Sequence, residues 1–197
     1  MNGVFMAMVI FAFVGAVTPG PVNLIATSTA AQFGKFTAAK HVIGASLAYA
    51  LVVFITGNTL NSLVEWLPRI ELGMQLVGSA FLIYLAYKIY SAPFGQLDVE
   101  EERHSSWING ALVQLLNPKA WLVAMSGVSL YVIGQSEQQV WLWMYTAVSL
   151  LACLIGVGLW AVVGSLFTKQ LHEPRKQQFF NRVMAVILFV SVLMIWV

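Results

Sequence analysis

Six apolar runs divide this sequence, at about residues 4–33, 42–60, 70–90, 107–134, 140–167 and 179–197. A membrane-crossing helix needs about 20 apolar residues, whereas a barrel strand needs about 9 to 11 with strict in-out alternation. The runs are too long and too evenly apolar to be strands. They predict an all-α, polytopic membrane protein with six transmembrane helices. Composition agrees, since 59% of residues are hydrophobic and 9% carry a formal charge, against roughly 25% charged in a soluble domain. A globule of 197 residues leaves too much of its chain facing solvent to hide that much apolar surface. Lipid is therefore the expected partner of that surface, and the short loops leave no room for a soluble domain.

Other classes fall on the same observations. A net charge of +2 without a basic face gives no nucleic-acid footprint. The single cysteine, Cys153, lies in an apolar run, which excludes an internal disulfide and a CxxC site and assigns it to packing. His41, His104 and His172 fall at or in loops, and no His-Glu or His-Asp spacing indicates a metal site, so no cofactor is expected. The first run has no Lys or Arg before it and reads as a retained span rather than a secretory signal.

Orientation follows from the basic residues, which short loops retain on the cytoplasmic side. Lys35 and Lys40 lie in the first loop, Lys88 and Arg103 flank the third, and Lys169, Arg175, Lys176 and Arg182 lie in or beside the fifth. The second loop has Arg69 alone, and the fourth, around residues 135–139, has none. Loops one, three and five are expected in the cytoplasm, with both termini periplasmic or extracellular. Trp66, Tyr87, Tyr90, Trp107, Trp141, Trp143 and Trp196 fall near span ends, as interfacial anchors do. The acidic cluster Asp98, Glu100, Glu101 and Glu102 reads as a solvated third loop. Gly44 with Ala48 and Ala152 with Gly156 have small-xxx-small spacing, which serves packing inside one bundle or the seam of a homo-oligomer.

The most informative residues are prolines inside apolar runs. Thr18-Pro19-Gly20-Pro21-Val22-Asn23 interrupts the first run near its middle, and Asn117-Pro118-Lys119 interrupts the fourth, half a chain length later. These runs open two three-helix halves, residues 1–95 and 107–197, joined by a cytoplasmic linker over residues 96–106. Because three is odd, the second half enters from the opposite side, which predicts an inverted repeat. A proline removes the amide that would bond the carbonyl four residues back. Pro19, Pro21 and Pro118 would thereby free the carbonyls of Gly15, Val17 and Gln114. Such carbonyls must face protein or a wet cavity at membrane depth. A half-helix starting at the first break offers the amides of Val22, Asn23 and Leu24 at a positive dipole end. Acceptors beside donors suit a zwitterion, although a packed, merely kinked helix also fits each break alone.

Lys119 sharpens the expectation. A lysine at a helix centre costs about 2.5 to 3.5 kcal/mol on insertion scales. It lies about 18 Å beyond Trp107 at about 1.5 Å per residue, deep for snorkelling. No Asp or Glu lies in the interior of a run, Glu71 standing only at an edge, so a substrate carboxylate or freed carbonyls would meet its charge. Asn23 and Asn117 add amides near the breaks, Trp121 lies one turn past Pro118 as a cavity wall, and Trp160 reads as packing.

The TPGPxN segment at Thr18 to Asn23, six apolar runs, a chain of about 200 residues and Asn117-Pro118-Lys119 opening the second half together resemble the LysE/RhtB family of amino-acid exporters. The resemblance covers essentially the whole chain. It implies export of a small-molecule amino acid or derivative from the bacterial cytoplasm across the inner membrane, driven by protons. Members for homoserine, threonine, leucine, cysteine and lysine-type substrates look alike at this level. The lack of an intramembrane carboxylate argues against a dibasic substrate or a divalent cation. The expected mechanism is alternating access about a midplane site. Its residues are Gly15, Val17, Thr18, Pro19, Gly20, Pro21, Asn23, Gln114, Asn117, Pro118, Lys119 and Trp121, with Lys119 or His41 carrying the proton. The alternatives are a membrane-embedded enzyme and a non-transporting membrane subunit.

Overall fold

The computed structural model describes residues 2–91, 99–167 and 173–193, without the side chains of residues 2, 61–71, 74 and 99–105. All elements among the described residues are α-helices: α1 (Asn2–Val17), α2 (Pro21–Phe33), α3 (Lys35–Tyr90), α4 (Val99–Leu115), α5 (Pro118–Tyr131), α6 (Gln138–Leu166) and α7 (Pro174–Leu193). Asp98, Lys169, His172 and Trp196 lie outside the described residues, as do the side chains of Trp66, Arg69, Glu100, Glu101, Glu102, Arg103 and His104.

The two proline motifs do not kink continuous helices; each starts a new one. Pro21 and Pro118 stand at the beginning of α2 and α5, where a missing N–H costs nothing and the fixed φ already suits a helix. α1 and α2 meet at 58° across the first break. Gly34, at φ 82°, and Gly134, at φ 80°, supply the left-handed backbone that turns the chain into α3 and toward α6.

Burial along α3 and α6 shows what solvent the fold expects. On α3, Leu47 and Leu51 are 57% and 50% exposed while Ser46, Tyr49, Val52 and Val53 are buried. On α6, Leu151, Ile155 and Leu159 face outward while Ala152, Cys153, Gly156 and Val157 face inward. Large aliphatics outside with small and polar residues inside is a lipid-facing arrangement, because helices in hydrocarbon gain nothing by hiding leucine and gain contact by approaching closely. Lys35–Leu60 and Gln138–Leu166 are each long and apolar enough to cross a membrane, and the bent pair Gly3–Val17 with Pro21–Phe33 qualifies as a third span when taken together. The molecule is an integral membrane protein.

Both small-residue pairs pack inside the chain. A Cβ on Gly44 would meet the backbone of Trp107 in α4, and one on Gly156 would meet Ala16 of α1. α3 packs against α4, α6, α7 and α5, and α6 against α2 and α1, so the breaks are enclosed by long helices.

Three expectations need correction. The second and third runs are separate, but they meet at a kink in α3, at Thr59 (φ −127°, ψ 15°), where a loop near Arg69 was expected. Hydropathy marks where a chain leaves hydrocarbon, not where backbone hydrogen bonding stops. For the same reason residues 99–106 of the expected linker form the first part of α4, which places Glu100, Glu101 and Glu102 in helix rather than loop; Glu is a good helix former. His41 is not at a loop but 1% exposed within α3, its ring nitrogen Nε2 3.4 Å from the Val22 carbonyl oxygen. Among the anchors, Tyr87, Tyr90, Trp107 and Trp143 are more than half exposed, as a membrane-interface position requires.

Candidate functional site

The end of α1 stops where Pro19 and Pro21 deny it amides, and its last carbonyls are taken up by side chains from three other helices. Asn23 of α2 donates from Nδ2 to the carbonyls of Ala16 at 3.2 Å and Thr18 at 2.8 Å. Lys119 of α5 donates from Nζ to Thr18 at 3.2 Å and to Pro19 at 3.4 Å. Trp160 of α6 donates from Nε1 to Val17 at 2.9 Å. Thr18 closes α1 itself, its hydroxyl donating to the Val14 carbonyl at 2.6 Å. The Leu24 amide is already bonded to the Gly20 carbonyl, so Val22 and Asn23 carry the amides at the open end of α2.

The second break is built more simply. Asn117 is the N-cap of α5, its side-chain oxygen accepting the Lys119 amide at 3.2 Å, which satisfies a donor the helix start leaves over. This places the Lys119 side chain at the first turn of α5, from where it spans to the first break. The two proline motifs thus meet through one ammonium.

Between them lies a cleft with a cavity volume of about 40 Å3, room for about three waters. Gly15, Thr18, Gly20, Asn23, Gln114, Asn117 and Lys119 line it, together with Ala16, Val22, Tyr49, Ala120, Val123, Cys153 and Val157. Asn23, Gln114 and Asn117 are buried there, and Lys119 is half-buried. Among the described residues of this lining Lys119 is the charged group, and none of them is a carboxylate. An ammonium has three donors, two of which the first break accepts, so one remains for an anion. Asn23 spends its amide nitrogen on carbonyls and keeps its oxygen as an acceptor. The cleft can hold a carboxylate and an ammonium together.

Several expected positions lie elsewhere. Val17 and Gln114 do not offer free carbonyls: Trp160 takes the first, and the Asn117 amide bonds the second at 3.3 Å. Broken helices recover their hydrogen bonds from neighbours because hydrocarbon offers none. Pro19, Pro21 and Pro118 shape the breaks without lining the cleft. Trp121 packs on the core and donates to the Leu115 carbonyl at 2.9 Å, closing the end of α4 rather than walling the cavity. His41 is also absent from the lining. Conversely, Trp160, read as packing, is a backbone cap, and Tyr49 and Cys153 are cleft wall. A mid-span indole N–H is itself the signal for the first, since a buried indole needs an acceptor. Nothing in the sequence brings Tyr49 and Cys153 together.

A cleft between two helix breaks with the Lys119 ammonium in its lining suits a small polar solute. The chain belongs to the LysE type translocator family, which it matches over residues 13–195. Among known proteins it is similar to the cysteine/O-acetylserine efflux protein of Escherichia coli O157:H7, 28% identical over 181 residues that make up 90% of each chain. The proteins of the same name from Salmonella typhi and Escherichia coli K12 are 29% and 28% identical over the same share of each chain. No solved structure matches the chain.

Proposed function

We propose that this protein exports a small neutral amino acid or amino-acid derivative from the bacterial cytoplasm across the inner membrane by proton antiport. The observation that carries the reading is the Lys119 ammonium, held on the Thr18 and Pro19 carbonyls and facing a cleft with no carboxylate among its described residues. The substrate carboxylate binds between Lys119 and the Val22 and Asn23 amides at the start of α2, where the helix dipole favours an anion. The substrate ammonium is accepted by the side-chain oxygens of Asn23 and Gln114. A dibasic substrate finds no counter-charge there. The names of the efflux relatives support cysteine-like and O-acetylserine-like solutes as the class to try first.

The chain works as two inverted three-helix repeats, residues 1–95 and 107–197, linked by residues 96–106, with six crossings and both termini outside the cytoplasm. The matching placement of Pro21 and Pro118 at helix starts supports the repeat. Rocking of one half against the other opens the cleft to each side in turn. Lys119 exchanges its proton as substrate leaves, and His41, against the Val22 carbonyl, is the second group able to carry one.

The test is counterflow. Purified protein in liposomes loaded with unlabelled O-acetylserine should accumulate labelled O-acetylserine, serine or cysteine, faster when a proton gradient is imposed. Absence of amino-acid flux at any gradient would overturn the reading, and flux that never saturates would mark a pore instead.

A further inference from the structure

We propose that Tyr49 of α3 and Cys153 of α6 form a side-chain subsite that selects substrates with a small, uncharged polar substituent: a hydroxyl, a thiol or an ester. This rests on the export reading above and adds the residues that discriminate. Both side chains line the cleft that holds Asn23 and Lys119, and both are at least nine-tenths buried. Directly behind them lie three more polar groups with no exposure. The Ser46 hydroxyl neighbours the Cys153 thiol, and the Tyr145 hydroxyl neighbours those of Tyr49 and Ser149. These contacts are near but not well aligned, and by bond geometry the hydroxyls of Ser46, Tyr145 and Ser149 are buried without a partner.

That state is costly. A buried hydroxyl without a partner carries its desolvation cost uncompensated, whereas Phe or Ala of matching shape in its place is nearly neutral. The helices even make room for the arrangement: Gly127 of α5 lies where any Cβ would collide with the Tyr145 hydroxyl. Packing alone does not account for three such groups behind a tyrosine and a thiol on a cavity wall. A ligand with a donor or acceptor reaching Tyr49 would let these rotatable hydroxyls turn into one relay, Tyr49 to Tyr145 to Ser149, and the Cys153 to Ser46 pair likewise. Ala120, Val123 and Val157 bound the same space with apolar walls, so the substituent is small, and with Lys119 committed to the carboxylate no other charged side chain among the described lining residues would hold an ionised one.

Sites built to hydrogen-bond a hydroxyl discriminate strongly against analogues that lack it, because their own polar groups are then left unpaired. Serine and alanine, which differ by that one atom, are the probes. In liposomes, wild-type protein should prefer labelled serine over labelled alanine, and Tyr49→Phe should lower the serine-to-alanine flux ratio at least about fivefold, the worth of one net hydrogen bond. Tyr84→Phe, on the exposed face of α3, should leave the ratio as in wild type. A wild-type protein without preference, or a Tyr49→Phe ratio equal to wild type, overturns the subsite. If Tyr49→Phe carries neither solute, Cys153→Ala is read by the same ratio, with the same consequence. A wild-type protein that moves no amino acid at all defeats the export reading itself, a result separate from a lost preference.

Discussion

The Nζ of Lys119 lies 3.2 Å from the carbonyl oxygen of Thr18, so the cation of the second proline motif is anchored on the backbone of the first. An intramembrane charge that pairs with backbone dipoles rather than a carboxylate keeps its net positive charge. It therefore stays attractive to an anion entering the cleft, and it couples the geometry of the two breaks.

Lys119→Met removes that attraction while retaining an unbranched side chain. Flux at low substrate is expected to fall about tenfold or more, the worth of a charged hydrogen bond. The rise should appear in KM, measured by concentration-dependent counterflow in liposomes.

Trp160→Phe retains the ring and loses the N–H that caps the Val17 carbonyl. The carbonyl is left without its partner at membrane depth, and stability should fall by about 1 to 3 kcal/mol, read as a lower midpoint of thermal unfolding in detergent. Asn23→Ala, which removes both donations to the Ala16 and Thr18 carbonyls and leaves Thr18 only Lys119, should lower it further.

Glycines divide by what surrounds them. Gly44→Ala drives a Cβ into the Trp107 backbone of α4 and should cost about 1 to 3 kcal/mol through forced helix separation. Gly158→Ala, with nothing within 4 Å of the new atom, should be neutral or stabilising by up to about 1 kcal/mol from helix propensity. Paired melting curves of the two variants check this.

Topology is testable without purified protein. With six crossings and both ends outside the cytoplasm, a reporter enzyme active only outside it should work when fused after Val197, and the same reporter placed in the 92–98 segment should be silent. A silent C-terminal fusion would reverse the expected orientation.

Much of this molecule is legible in one dimension. The apolar runs are visible because a helix buried in lipid needs apolar residues over its whole length. The breaks are visible because Pro21 and Pro118 cannot be helix interior. The charge of Lys119 is conspicuous because nothing near it in sequence could offset it. Less legible was where the second run ends: α3 kinks at Thr59 and is helical again through the polar stretch before Arg69, since leaving hydrocarbon does not by itself end a helix.

What the sequence determined alone is the class of solvent, the helical content and the two interruptions, each set by local chemistry at neighbouring residues. Only the tertiary structure decided who satisfies the interrupted backbone. Trp160 and Lys119 reach Val17, Thr18 and Pro19 from helices at least 100 residues away in sequence, and Tyr49 and Cys153 become one wall through the packing of α3 on α6. Such partnerships depend on which faces the helices bury against one another, and a linear pattern of apolar residues leaves several pairings of those faces equally open.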